Sequence, residues 1–166
     1  EGSAFKPLKQ FGTVPAGDSS EIVFYVDEYR GHTYGSLRTI VKRDDYAGPT
    51  KAGLTFNVAI LDKILAKLAA LPNEPAATQD EELLRIPKKA GLDVVVRITI
   101  YRDATGIDFR EWVDDGAYKG WSKRGVRVNY GELGKIKDLL AQMRDFLRAS
   151  RASSAGAGGP AESDAG

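Results

Sequence analysis

Val94, Val96, Ile98 and Ile100 alternate with Val95, Arg97, Thr99 and Tyr101, the period-two pattern of a half-buried β-strand. A turn over 103–106 follows. The next run puts Ile107, Phe109 and Val113 on one side and Asp108, Arg110 and Trp112 on the other, while Glu111 lands among the apolar positions against its charge. After a loop through Asp114, Gly116 and Gly120, Val126, Val128 and Tyr130 alternate with Arg127 and Asn129, as Leu54, Phe56 and Val58 do with Thr55 and Asn57 in the first half. Two seams then recur at steps of three and four, Leu61, Ile64, Leu68, Leu71 and Leu133, Ile136, Leu140, Met143, Leu147. These are amphipathic helices suited to packing on another helix as well as on a sheet. Pro72 ends the first.

The two halves are copies. A shift of 72 residues, without a gap, lays Tyr29 and Arg30 on Tyr101 and Arg102, Arg38 on Arg110, Lys51 on Lys123, Gly53 on Gly125, Asn57 on Asn129, and Lys63-Ile64 on Lys135-Ile136. Roughly one position in three is identical over 21–71 and 93–143, the mark of an internal duplication. Units of about fifty residues make only a marginal core alone, so the copies are expected to bury a face against each other as a pseudo-two-fold pair. The expected organisation is a flexible arm over 1–20 with Phe5 and Phe11 as anchors, a first repeat over 21–71, and a linker over 72–92. A second repeat over 93–148 and a disordered small-residue tail over 149–166 complete it. Thr78 and Glu81 have capping-box spacing for a short helix in the linker.

Composition narrows the function. The absence of cysteine excludes disulfides, thiolate metal sites and cysteine nucleophiles, and fits a reducing intracellular compartment. The one histidine, His32, follows Gly31 and is replaced by Ala104 in the second copy, and reads as an exposed turn residue. No phosphate-loop, nucleophile-elbow or metal-spaced histidine pattern occurs, so no enzyme, cofactor or metal is expected. Asp44 with Asp45 and Asp114 with Asp115 read as solvated turn residues. A net charge of +1 lacks the strong basic footprint of a duplex binder, although a groove needs only local positive charge. No run reaches the roughly 18 apolar residues of a membrane span. Because the first residue is Glu1, an upstream segment is expected to have been removed or replaced, with room for a targeting peptide.

The stretch from Gly106 through Ile107, Asp108, Phe109, Arg110, Glu111 and Trp112 to Val113, then Ser122-Lys123-Arg124-Gly125-Val126 and a Leu/Ile-patterned helix, resembles the C-terminal domain of the positive cofactor four family of transcriptional coactivators. The resemblance covers nearly all of 93–147 and, more faintly, 21–71. It implies an α+β fold of two ββββα repeats with curved antiparallel sheets, joined as an intramolecular pseudo-dimer with packed helices. It also implies binding of single-stranded nucleic acid along the sheets, in transcription or in DNA and RNA maintenance, in the nucleus, nucleoid or an organelle. The tandem arrangement is similar to the Pur-alpha family as well, although the Arg-Glu-aromatic strand fits that family less well. Copy one departs from the pattern, with Ser36-Leu37-Arg38-Thr39 where copy two has Asp108-Phe109-Arg110-Glu111, and Lys51-Ala52 for Lys123-Arg124. Trp112 also stands one position earlier than the family's tryptophan.

A sequence-tolerant single-strand site needs cations that track phosphates and flat side chains on which bases stack. The expected site residues are Tyr29, Arg30, Arg38 and Lys51 in copy one, and Tyr101, Arg102, Arg110, Trp112, Trp121, Lys123, Arg124 and Arg127 in copy two. Plainer roles stand beside these. Arg38 and Arg110 suit surface pairing with Asp108 or Glu111, Trp112 suits a core, Trp121 suits a loop platform or a plug, and Gly53 and Gly125 suit backbone geometry alone. The expected partners are single-stranded DNA or RNA, transcription or repair proteins, and a second copy of the tandem unit, with no membrane. The competing expectation is a protein-interaction scaffold of the same fold that has lost nucleic-acid binding.

Overall fold

The computed structural model describes residues 7–17, 19–43 and 46–156, with side chains outside the description at 42–52 and 151–156. Alternating and seam residues form strands β1 (Lys9–Pro15), β2 (Ser20–Tyr29), β3 (His32–Arg43) and β4 (Tyr46–Phe56), followed by helix α1 (Val58–Ala69). The order repeats as β5 (Glu81–Lys89), β6 (Leu92–Tyr101), β7 (Ala104–Asp114) and β8 (Lys119–Asn129), a short 3-10 turn over Tyr130–Glu132, and α2 (Leu133–Gly156). Each set of four strands makes its own antiparallel sheet in chain order. The chain is therefore ββββα twice.

Details repeat with the 72-residue shift. Arg30 and Gly31, with φ of 52° and 81°, turn β2 into β3, and Arg102 and Asp103, at 51° and 66°, turn β6 into β7. Left-handed conformation at both central residues is the primed turn whose twist suits a two-residue hairpin. A bulge recurs as well. Arg38 opposes Gly53 but Ile40 opposes Pro49, and Arg110 opposes Gly125 but Trp112 opposes Trp121, so β4 and β8 each carry extra residues around Lys51 and Lys123. Asn57 and Asn129 cap the helical turns that begin after β4 and β8, each side-chain oxygen accepting a backbone N–H at 2.8 Å, from Ile60 and Gly131 respectively.

Both halves share one core. Leu61, Ile64, Leu68, Leu133, Ile136, Leu140, Met143 and Leu147 are buried together with Phe24, Leu37, Phe56, Val94, Val96, Ile107 and Phe109. The helices pack on each other, and α2 crosses to the other half's sheet, where it touches β1, β2 and β3. Its Met143 and Leu147 lie against Gly35 and its Leu139 against Gly12, positions where a side chain would collide with them. Phe146 meets Phe11 edge to face at 5.9 Å. In return α1 touches β5. Asp62 of α1 pairs with Arg148 of α2 at 2.8 Å, and the Tyr130 hydroxyl donates to the Pro72 carbonyl at 2.6 Å.

β4 also runs against β8, and a buried polar link joins the sheets near there. Lys88 of β5 donates to Thr55 of β4 at 2.8 Å and to Glu111 of β7 at 3.3 Å, its side chain 7% exposed and that of Glu111 8%. This accounts for a carboxylate on the apolar side of β7: a buried charge needs a partner. Burial holds the Lys88 ammonium below the ordinary lysine value of 10.5, with Glu111 pulling the other way.

The chain departs from its sequence pattern in four places. Lys9–Pro15 is a sheet strand rather than a flexible arm, pairing with β2 and seating Phe11, while Phe5 lies outside the described residues. The linker holds strand β5, with Leu83, Leu84 and Ile86 facing the core, in place of a short helix. Backbone pairing to β6 satisfies these residues better than an isolated turn of helix, whose nucleation is costly. Finally, α2 runs on to Gly156 rather than ending at 148, and the chain beyond it lies outside the described residues. Val58, expected to continue β4, is instead the first residue of α1.

Candidate nucleic-acid interface

Residues directly opposed across strands share a face, so the register of the second sheet decides what its open side presents. Arg85, Val95, Arg110 and Gly125 form one cross-strand row, Arg97, Asp108 and Arg127 a second, and Asp93, Trp112 and Trp121 a third. All lie on the face away from the core, whose row-mates are Val94, Val96, Phe109 and Val126. Four arginines and two tryptophans thus occupy one sheet surface. Tyr101, 62% exposed, continues this face at the hairpin tip, and Arg102 folds its guanidinium back to 5.2 Å from the ring.

Every arginine on this surface is held by its edge. Arg110 Nε and Nη2 donate to the two oxygens of Asp108 at 3.3 and 3.2 Å, and Arg97 Nη2 donates to Asp108 Oδ2 at 3.0 Å. The Asp108 side chain is only 3% exposed. Arg127 Nε donates to Thr99 Oγ1 at 2.7 Å, and its Nη2 to the carbonyls of Thr99 at 3.2 Å and Ala104 at 2.9 Å. Arg85 donates to both oxygens of Glu82, at 3.1 and 2.9 Å, and to Asp93 at 3.1 Å. The hydrogen bonding between Arg85 and Glu82 lowers the Glu82 carboxyl below its ordinary value and raises the Arg85 guanidinium.

Every arginine also has something flat beneath it. Arg110 lies across Gly125 and Arg127 across Gly106, so closely that a Cβ on either glycine would be 2.7 and 2.6 Å from the guanidinium carbon. Arg97 sits 4.2 Å over the Trp121 ring and Arg85 5.5 Å over Trp112. The two indoles meet edge to face at 4.8 Å. Gly53 and Gly125, expected to serve backbone geometry alone, have no positive φ and instead make room for Arg38 and Arg110.

The first sheet carries a reduced version. Arg38 lies over Gly53 and donates from Nε to the Tyr25 hydroxyl at 3.0 Å. Tyr29 is 62% exposed at its hairpin tip, with Arg30 at 5.1 Å from the ring. Thr13, Tyr25, Thr55 and Ile40 stand where the second sheet has Arg85, Arg97, Arg127 and Trp112. Lys51 lies in β4, its side chain outside the description, as are Asp44 and Asp45 entirely.

Of the expected residues, Arg110, Trp112, Trp121 and Arg127 come together on the outer face, and Lys123 and Arg124 are exposed on the β8 bulge beside it. The Arg124 N–H donates to Ser122 Oγ at 2.8 Å, which stabilises that bulge. Pairing of Arg110 with Asp108 is present, whereas Glu111 turns inward to Lys88. Trp112 and Trp121 are half-buried by each other rather than by the core. Asp115 is a turn residue, its carboxylate accepting from the N–H groups of Ala117 and Tyr118. Sequence reading missed Arg85 and Arg97. Arg97 alternates correctly with the apolar residues of β6 and was there to be found, but Arg85 sits in a segment without clean periodicity.

A shallow concavity of about 440 Å³ closes one end of the face, lined by Arg85, Gly91, Leu92, Asp93, Trp112, Asp114 and Lys119. Among the described residues, no three His, Asp or Glu side chains are grouped to hold a metal ion, and no helix is long and apolar enough to cross a membrane.

No protein-family profile matches the chain, that of positive cofactor four included, and no curated protein matches it. Among the solved structures similar to this chain, two match over nearly their full length. One is the plant transcriptional regulator PBF-2, at 10% identity and a TM-score of 0.47, covering 95% of this chain and 92% of that one. The other is WHY3 from Arabidopsis thaliana, at 10% identity and a TM-score of 0.45, covering 92% of this chain and 96% of that one.

Proposed function

We propose that this protein is a non-enzymatic binder of single-stranded DNA or RNA, working in transcription or nucleic-acid maintenance, with the outer face of its second sheet as the principal surface. One observation carries the proposal: four arginines and an indole pair share an open sheet face, continued by an exposed tyrosine at the hairpin tip. Cations among flat side chains are what an unpaired strand needs, each stacked base contributing about 1 to 3 kcal/mol. The resemblance of Gly106–Val113 and Ser122–Val126 to the positive cofactor four family supports the same function. Lys123 and Arg124 on the bulge supply charge beside the face, and the Tyr-Arg tips of both repeats extend it. The two repeats act as one unit, because neither sheet is covered without the other's helix.

The test is fluorescence titration of the full chain with a single strand of about 20 nucleotides, against the matched duplex. Quenching of Trp112 and Trp121 with saturable binding of the single strand is expected. Unchanged fluorescence together with no shift in the strand's anisotropy refutes the proposal and leaves the protein-interaction scaffold in its place.

A further inference from the structure

We infer that the arginines of this face receive bases on their planes and do not grip phosphates by their edges. The inference rests on the proposed function and deepens it. A guanidinium has five N–H donors and grips a phosphate through two of them in a fork. In Arg85, Arg110 and Arg127 the side-on fork of Nε and Nη2 is already bound to protein oxygens, and in Arg85 Nη1 is bound as well. Arg97 gives Nη2 to Asp108 and buries Nε against its surroundings without an acceptor. A phosphate taking the side-on fork would have to displace these partners, including a carboxylate nearly sealed from solvent, and in Arg127 Nη2 already serves two carbonyls, which closes its end-on fork as well. A base need displace nothing.

Each guanidinium has a glycine or an indole ring close to it, and the side chains keep part of their surface open, 22% for Arg97, 25% for Arg110 and 35% for Arg85. A planar cation seated on a flat support and open above is a stacking platform for a nucleobase. The face is then a row of platforms, Arg127 and Arg110 beside the Trp121–Arg97 and Trp112–Arg85 pairs. A bound strand lies with bases inward and sugar-phosphate outward. Purines, with the larger planes, bind better than pyrimidines, and a duplex, whose base faces are already stacked, is excluded. Phosphate neutralisation falls to Lys119, Lys123 and Arg124 at the margin, which fits a chain of net charge +1.

Two measurements on the full chain test this. The first compares a single strand of about 20 nucleotides with one of equal length and charge that lacks its bases, and a loss of more than about fivefold is expected. The second compares Arg110→Lys with Arg127→Lys in one variant against Arg110→Ala with Arg127→Ala in another. Lysine keeps the charge and loses the plane, so it is expected to restore less than half of the logarithmic loss seen with alanine. With three marginal cations on phosphates, the salt slope for the native chain is about 2, against about 5 if all four arginines gripped phosphates too. An abasic strand binding within about fivefold of its parent, or lysine restoring more than half of the loss, overturns the inference while leaving single-strand binding intact. Failure of the ordinary strand to bind removes the proposed function itself. The abasic comparison needs no variant, so it stands even if a substitution disturbs the fold.

Discussion

Gly106→Ala removes no charge and adds one methyl group, yet it is expected to unseat an arginine. The new Cβ would lie 2.6, 2.7 and 2.8 Å from Cζ, Nε and Nη2 of Arg127, closer than real side chains tolerate. The guanidinium must lift, and its three hydrogen bonds to Thr99 and Ala104 go with it. At a half-buried site these are worth about 1 kcal/mol each. Gly106 has no positive φ, so alanine fits the backbone and returns about 0.5 to 1 kcal/mol by restricting the unfolded chain. The net loss is about 2 kcal/mol, or a fall in Tm of roughly 4 to 8 °C for a chain of this size. Thermal melts followed by circular dichroism measure it, with Gly134→Ala as the control. A Cβ at Gly134 meets nothing within 4 Å in helix α2, and that variant is expected to gain about 0.5 to 1 kcal/mol. Single-strand affinity of Gly106→Ala should fall although its net charge is unchanged. A Tm at or above that of the native chain would show that Arg127 is not seated on Gly106.

Lys88→Met leaves Glu111 buried without its cation and should cost about 3 to 5 kcal/mol, while adding Glu111→Leu should recover most of that; urea melts showing the single change to be harmless would contradict the buried pair. The depressed Lys88 value means the unfolded chain binds this proton more tightly. Stability from this group is therefore complete above 10.5 and is lost as pH falls through the folded value, and the Lys88→Met chain should lack that increment in melts run across the window. Residues 7–73 expressed alone should give no cooperative melt, because α2 supplies the cover for β1, β2 and β3; a sharp transition in that fragment would refute the helix exchange. Arg110→Ala with Trp112→Ala should weaken single-strand binding more than Arg38→Ala with Ile40→Ala, and equal losses would place both sheets on the same footing.

The duplication, the ββββα type of each half and the two helix seams were legible in the sequence, because self-similarity and periodicities of two and near 3.6 are properties of neighbouring residues. Leu133, Ile136, Leu140, Met143 and Leu147 could be named as buried from spacing alone. Strands β1 and β5 could not. Each is an edge strand with register shifts, at Gln10/Gly12 and at Glu82/Leu84, that break the alternation by which a strand is recognised. Arg110 and Trp112 were visible as the polar side of β7, but that Arg97 and Arg127 flank Asp108 in one row depends on register across three strands. Only the tertiary structure decided that α2 covers the opposite sheet, that Lys88 neutralises Glu111, and that Gly125 and Gly106 are bare so that arginines can lie on them. The physical reason is the range of the interactions: patterning is written in residues a few positions apart, whereas a guanidinium seated on a glycine joins positions 15 to 21 residues apart, and the buried lysine reaches 23 to its carboxylate and 33 to its hydroxyl.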